Sequence, residues 1–276
     1  MPGLVAWKLV IPVAAVAIVA VMLARSGNFP DELATPPPKS RPAMLGYLTT
    51  QELPDAVALL PPPPPPGSVA MKNDEQARAA ALQVHGKPRY ALAAADANRD
   101  QAATATAFQC AFGTVISGQA TPVLLDLLAM VRLVVRAASY PAKSHFNRPR
   151  PFVIYNTHTC YPGDEQNVRN DGSYPSARGA VGWAYAKVLS ELNPARAGEI
   201  VQRGRDFGQS RVVCDEEWLS DVDAGQVIAD ATLRLIQNKP AFRSDFAAAQ
   251  RETAAALKSG IKPANCQSEA LALASR

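Results

Sequence analysis

Apolar residues recur every three or four positions through much of the chain, which is a helical period. No stretch alternates apolar and polar residues as a half-buried strand would. The clearest stripe is Val123, Leu124, Leu127, Leu128, Val131, Val134 and Val135, and it predicts a core-facing helix. Thr121-Pro122 marks the start of this helix, an N-cap followed by proline at the first helical position. Asp74–Asn98 is alanine-rich and reads as helix. Gly172-Ser173-Tyr174-Pro175 breaks the chain before a helix expected from Ser176 to Leu192. Asn193-Pro194 opens another, and Asp215 to Gln237 reads as a long one. The pattern predicts an all-α fold, a single helical-bundle domain.

The N-terminus breaks this pattern. Leu9–Ala24 runs without a charge behind Lys8, and Ala24-Arg25-Ser26 offers small residues for cleavage. Residues 1–27 therefore read as a signal peptide or a membrane anchor, which places the domain outside the cytoplasm. Residues 28–45 form a proline-rich linker, residues 46–258 the helical domain and residues 259–276 a tail. Pro61–Pro66 is a polyproline stretch whose apolar neighbours Leu59 and Leu60 suggest an arm laid on the domain.

Composition adds exclusions. With 48% apolar and 19% charged residues, the chain is neither disordered nor fibrous. A net charge of +4, from 28 Lys+Arg against 24 Asp+Glu, is too weak and dispersed to argue for nucleic acid. Cys110, Cys160, Cys214 and Cys266 lack C-x-x-C spacing and partnering histidines, so two disulfides fit an exported protein better than zinc. Spacing alone leaves three pairings open. Neither a metal nor a cofactor is expected. The chain holds only three histidines, His85, His145 and His158.

Three segments place polar and basic residues where a bundle would carry filler. The first runs from Lys143 to Pro151 and holds Lys143, Arg148 and Arg150 in what reads as a proline-stiffened loop. The second, Ser173–Gly179, feeds a helix N-terminus, where free N–H groups and the dipole favour an anion. The third is Gly208-Gln209-Ser210-Arg211 followed by Glu217 and Asp221, which are four apart and expected on one helix face. Lys143, Arg150, Ser176 and Arg211 are what a phosphate needs, since arginine forks chelate its oxygens and lysine adds a point charge.

The order and spacing of these segments resemble the class A bacterial non-specific acid phosphatases. That family belongs to the type 2 phosphatidic acid phosphatase and vanadium haloperoxidase superfamily. Lys143, Arg150 and Pro151 match its K-x6-R-P, Pro175 and Ser176 begin its P-S-G-H, and Ser210, Arg211 and Asp221 fit its S-R-x5-H-x3-D. The likeness extends over residues 46–250. It implies an all-helical, metal-independent, periplasmic phosphomonoesterase. In that family the histidine of S-R-x5-H attacks phosphorus, oriented by the aspartate, and the histidine of P-S-G-H protonates the leaving group.

This chain departs at both places. Glu217 stands at the nucleophile position, Arg178 at the acid position, and Ala177 replaces the motif glycine. The three histidines match neither role. Arginine stays protonated at working pH and cannot act as a general acid. Glutamate can attack phosphorus, and a carboxylate beside Asp221 is expected to push one pKa up. Glu217 and Arg178 are also expected to pair across the pocket.

Three functional readings follow. The first is a non-catalytic protein that keeps its pocket for a phosphorylated small molecule or other oxyanion, or for a protein partner. The second is a phosphomonoesterase or phosphotransferase using Glu217. The third is a scaffold built on the proline arm and an N-terminal membrane attachment. A homo-oligomer stays open. Because Cys160 and Cys214 each border a site segment, they are expected to pair, leaving Cys110 with Cys266.

Overall fold

The computed structural model describes residues 43–275. The signal or anchor segment at 1–27 and most of the proline-rich linker lie outside these residues. A short antiparallel hairpin opens the described chain, β1 (Met44–Leu45) with β2 (Leu48–Thr49), paired in register Leu45 to Leu48. All regular elements after it are helices, joined by loops. The main helices are α1 (Val69–Leu82), α2 (Pro88–Ala97), α3 (Pro122–Phe146), α4 (Ala177–Leu192), α5 (Ala197–Val213), α6 (Leu219–Ile236), α7 (Pro240–Ser259) and α8 (Cys266–Ala274). The segment read as a tail thus carries a further helix. Among the described residues no helix is long and apolar enough to cross a membrane.

α4 lies at the centre, against α3, α5 and α6. Its sequence explains why. Nearly every position from Ala177 to Leu192 is small or apolar, so it is buried on several sides rather than on one stripe. Gly182 is needed for the approach of α5, since a Cβ there would meet the ring of Phe207 at 2.2 Å. The stripe on α3 is buried as its period requires, with Leu124, Leu128, Val131, Val134 and Val135 fully covered.

α3 starts at Pro122 as expected, but Thr121 does not cap it with its side chain. The Thr121 hydroxyl turns back to the Ser117 amide and the Val115 carbonyl. The cap comes from α7, where the Glu252 carboxylate accepts from the Val123 and Leu124 amides at 3.1 and 2.8 Å. An acidic group beside free N–H donors also complements the helix dipole. Glu252→Ala is expected to cost about 0.5–2 kcal/mol in urea denaturation, and an unchanged midpoint would show that water serves these amides equally well.

Both expected disulfides are present, Cys160–Cys214 and Cys110–Cys266. The second ties α8 back to the chain ahead of α3, and Glu269 of α8 reaches buried Arg203 at 3.1 Å. The proline stretch lies on the domain, with Leu60 buried and the Pro61 carbonyl accepting from the Tyr174 hydroxyl at 2.8 Å.

Candidate functional site

Ser176 is the N-cap of α4. Its Oγ accepts from the Gly179 amide at 2.8 Å, and its own amide donates to the Asp221 carbonyl at 2.8 Å. Glycine at 179 permits this, because a Cβ there would lie 2.7 Å from that Oγ. Lys143 comes from the last turn of α3 rather than from a loop. It is buried, and its Nζ donates to the carbonyls of Gly172 (2.5 Å) and Ser173 (3.3 Å), which fixes the turn leading to Ser176.

Glu217 lies in the turn after α5. Its amide and that of Glu216 fold back onto the Arg211 carbonyl. This turn is fastened by the Cys160–Cys214 disulfide, and by Asp215, which binds Arg78 (2.6 and 2.8 Å) and Thr157 (2.6 Å). The Glu217 carboxylate is buried among cations. Oε2 accepts a short hydrogen bond from Ser176 Oγ and lies 3.5 Å from Arg211 Nε, and Oε1 lies 3.5 Å from Arg150 Nη1. Burial opposes its ionisation, but the charges of Arg211, Lys143 and Arg150 and the Ser176 hydroxyl outweigh burial and hold its pKa down to about 2.

The structure therefore brings Lys143, Arg150, Arg211 and Glu217 into the lining of one cavity of about 50 Å³, room for a few water-sized groups, with Ser176 adjoining it through its hydrogen bond to Glu217. Arg150 is braced by the carbonyls of Val168 (3.0 Å), Asp171 (2.9 Å) and Glu216 (3.1 Å). Arg211 is fully buried. Its Nη2 pairs with Glu216, while Nε and Nη1 have no hydrogen-bond partner among the described residues. Nε already faces the Glu217 carboxylate at 3.5 Å, which leaves Nη1 to take a further anion.

Arg178 corrects the expectation of an ion pair across the cavity. It lines the cavity, but its guanidinium donates to the carbonyls of Asp96 (2.9 and 2.6 Å) and Asn98. These carbonyls end α2, where free acceptors and the negative end of the dipole attract a cation. Glu217 is meanwhile taken by nearer cations. Burial, then the charge of Arg211, lowers the Arg178 pKa to about 9, so it remains a cation at neutral pH.

Glu217 and Asp221 do not share a helix face either. α6 begins only at Leu219, with Trp218 as its N-cap, so Glu217 stands outside it. Asp221 is fully buried in the first turn, where Oδ2 accepts from the Trp218 amide and Oδ1 from Arg148 Nη1, both at 2.7 Å. Of the two carboxylates it is Asp221 whose pKa rises, to about 6, chiefly from burial, with Glu217 adding to it.

Arg148 was visible in the sequence without a role. It joins Asp221 to Asp74 of α1 at 2.7 Å, and both carboxylates are buried. Also unmarked were Arg99, Arg132 and Arg136, which line the same cavity. The signal was present, since 132, 136 and 143 follow one face of α3. No histidine is among the lining residues: His85 faces the Val213 carbonyl, His145 meets the Phe146 ring edge to face, and His158 meets Glu165. Among the described residues no cluster of three His, Cys, Asp or Glu could hold a metal ion.

Residues 123–243, which include every residue of this cation-lined cavity except Arg99, match the PAP2 superfamily. The non-specific acid phosphatase of Providencia stuartii is 37% identical over 211 residues, covering 76% of this chain and 85% of that protein. That of Salmonella typhi is 36% identical over 214 residues, covering 77% and 86%. The acid phosphatase of Zymomonas mobilis is 34% identical over 209 residues, covering 76% and 79%. The chain belongs to the non-specific acid phosphatase family of the PAP2 superfamily. Membership agrees with the all-α architecture and makes the protein acid-phosphatase-like. In this chain a carboxylate, that of Glu217, stands among the cations of the cavity.

Proposed function

We propose that this protein is an exported acid-phosphatase homologue that keeps an oxyanion pocket and has little or no phosphomonoesterase activity. The observation that carries the reading is the position of Glu217. Its carboxylate lies among Ser176, Arg211 and Arg150, the groups that a phosphate's oxygens need, and so acts as a tethered anion. The disulfides support export, because such bonds persist in oxidising compartments.

The competing reading makes Glu217 a nucleophile or general base. A base works best with a pKa near the working pH, and one at about 2 is weak. Both of its oxygens also face cations. Asp221 titrates nearer neutrality, but its oxygens are committed to Arg148 and Trp218. In this reading Lys143, Arg150, Ser176 and Arg211 bind the ligand, and Glu217, Arg178 and Asp221 occupy the former catalytic positions.

Incubation with p-nitrophenyl phosphate from acid to neutral pH is expected to give no turnover above background. Turnover that Glu217→Gln abolishes would establish the enzyme instead. Glu217→Gln removes the competing charge, so inorganic phosphate should bind it about tenfold tighter or more in titration calorimetry; weaker binding would show that Glu217 helps to form the site.

Burial, then Arg150, lowers the Lys143 pKa to about 8. The lysine is charged below that value and neutral above it. Phosphate affinity should therefore fall as pH rises through about 8, and Lys143→Met should flatten that part of the profile. An unchanged slope in the variant would place the titrating group elsewhere.

A further inference from the structure

The mouth of the cavity carries cations that the proposed reading leaves unused. Arg132, Arg136 and Lys143 share one face of α3. At 1.5 Å per residue, Arg136 lies about 10 Å and Arg132 about 16 Å along the axis from Lys143. Arg132 and Arg136 line the cavity together with Arg178. None of these three has a carboxylate partner among the described residues. Arg132 donates to the Arg99 carbonyl at 2.8 Å, Arg136 to the Tyr140 hydroxyl at 3.0 Å, and Arg178 to backbone carbonyls.

Cations gathered around one low-dielectric cavity repel each other unless an anion offsets them. Burial is the main cause that lowers the Arg132 pKa, repulsion from the neighbouring Arg136 adds to it, and Asp100 opposes it. The carboxylates of the lining are Glu217 and Asp171, and both face the inner cations. Glu217 lies against Arg211 and Arg150, and Asp171 lies 3.4 Å from Arg150 Nη2. The outer set has neutral partners in the lining, and Asp100 and Asp96 act on Arg132 and Arg178 from outside it without an ion-pair contact. Arginine is also the side chain best shaped to fork onto phosphoryl oxygens.

Building on the retained pocket, we propose that the ligand is a small molecule bearing two or more phosphoryl groups. One group is held by Lys143, Arg150, Ser176 and Arg211, and another by Arg132, Arg136 and Arg178. A ligand with a single phosphoryl group would leave the outer arginines without an anion in contact. Selection then rests on the number of phosphoryl groups, since seven of the twelve residues that line the cavity are cations.

Titration calorimetry of the full chain with inorganic phosphate, pyrophosphate and tripolyphosphate, at one ionic strength, tests this. Tripolyphosphate is expected to bind at least about tenfold tighter than phosphate. The double variant Arg132→Gln, Arg136→Gln, checked for native circular dichroism, should lose that advantage while its phosphate affinity changes by less than about threefold. Equal affinities of the unmodified chain for the three anions would overturn the proposal without needing any variant. A parallel loss of phosphate and tripolyphosphate affinity in the double variant would also overturn it, because it would reveal a diffuse field rather than a second site. Failure of all three anions to bind overturns both this proposal and the retained pocket. Phosphate binding without the tripolyphosphate advantage removes the second site alone.

Discussion

Replacing Arg178 and Glu217 together by histidine is expected to raise turnover of p-nitrophenyl phosphate about 10²- to 10⁴-fold over the unmodified chain. The groups around those positions are already braced. Ser176 caps α4, Lys143 pins the Gly172-Ser173 turn, and Arg211 is held by Glu216 with its Nη1 still without a hydrogen-bond partner among the described residues. The exchange at 217 supplies a neutral nucleophile and removes the tethered carboxylate in one step. The exchange at 178 supplies a group that can give up a proton, which arginine cannot. Single variants should gain little, because a nucleophile and an acid acting as a unit are strongly non-additive. A folded double variant that stays at background would sink the idea that only the two histidines are missing. The structure names where such a failure would arise: Asp221 already accepts from Arg148 and from the Trp218 amide, so an imidazole at 217 would have to share its oxygens with them.

Arg148→Ala is expected to destabilise the protein by about 3–5 kcal/mol, measured by urea denaturation at pH 7. Arg148 is the cation between two buried carboxylates, Asp74 and Asp221, and it lies 5.1 Å from the centre of the Trp218 ring. Its removal strands both charges. Asp74 retains the Ser220 amide and hydroxyl as donors, whereas Asp221 retains only the Trp218 amide. The loss should depend on pH with a definite sign. The Asp221 pKa is raised above its ordinary value in the folded chain, so the cost of its charge is present above about pH 6 and relieved as pH falls toward 4. Losing Arg148 moves that pKa higher still. The deficit of the variant against the unmodified chain should therefore shrink on acidification. A loss below about 1 kcal/mol, or one independent of pH, would mean that water enters and solvates the pair.

The helices were legible because their signals are local. The stripe on α3, Pro122 at its first position and the Gly172–Pro175 break each lie within a few residues of what they determine. The grouping of Lys143, Arg150, Ser176 and Arg211 came from motif spacing, and they do line or adjoin one cavity. What escaped was set by distant partners. The cap of α3 comes from Glu252, and Arg178 is drawn away by the carbonyls that end α2, 80 and 82 residues earlier in the chain. Glu217 and Asp221 showed the limit of spacing alone. Four residues apart suggests one helix face, but the Asp221 carboxylate accepting the Trp218 amide starts the helix between them. The outer arginines were missed for another reason. An arginine on a helix is usually solvated, and only the cavity showed what Arg132 and Arg136 face.

The central carboxylate changes what binding means for this pocket. An ordinary phosphate site trades water for ligand. Here Glu217 gives the cations a counter-ion on a short leash, at an effective concentration that no free anion in solution matches. Any incoming anion must work as an ion exchanger does, displacing a resident charge that cannot leave. Observed affinity is then the difference between two anions' interactions with the same cations. For a pocket that works as proposed, weak monovalent competitors would be screened out, and only a ligand that offers more charge than the resident carboxylate would prevail.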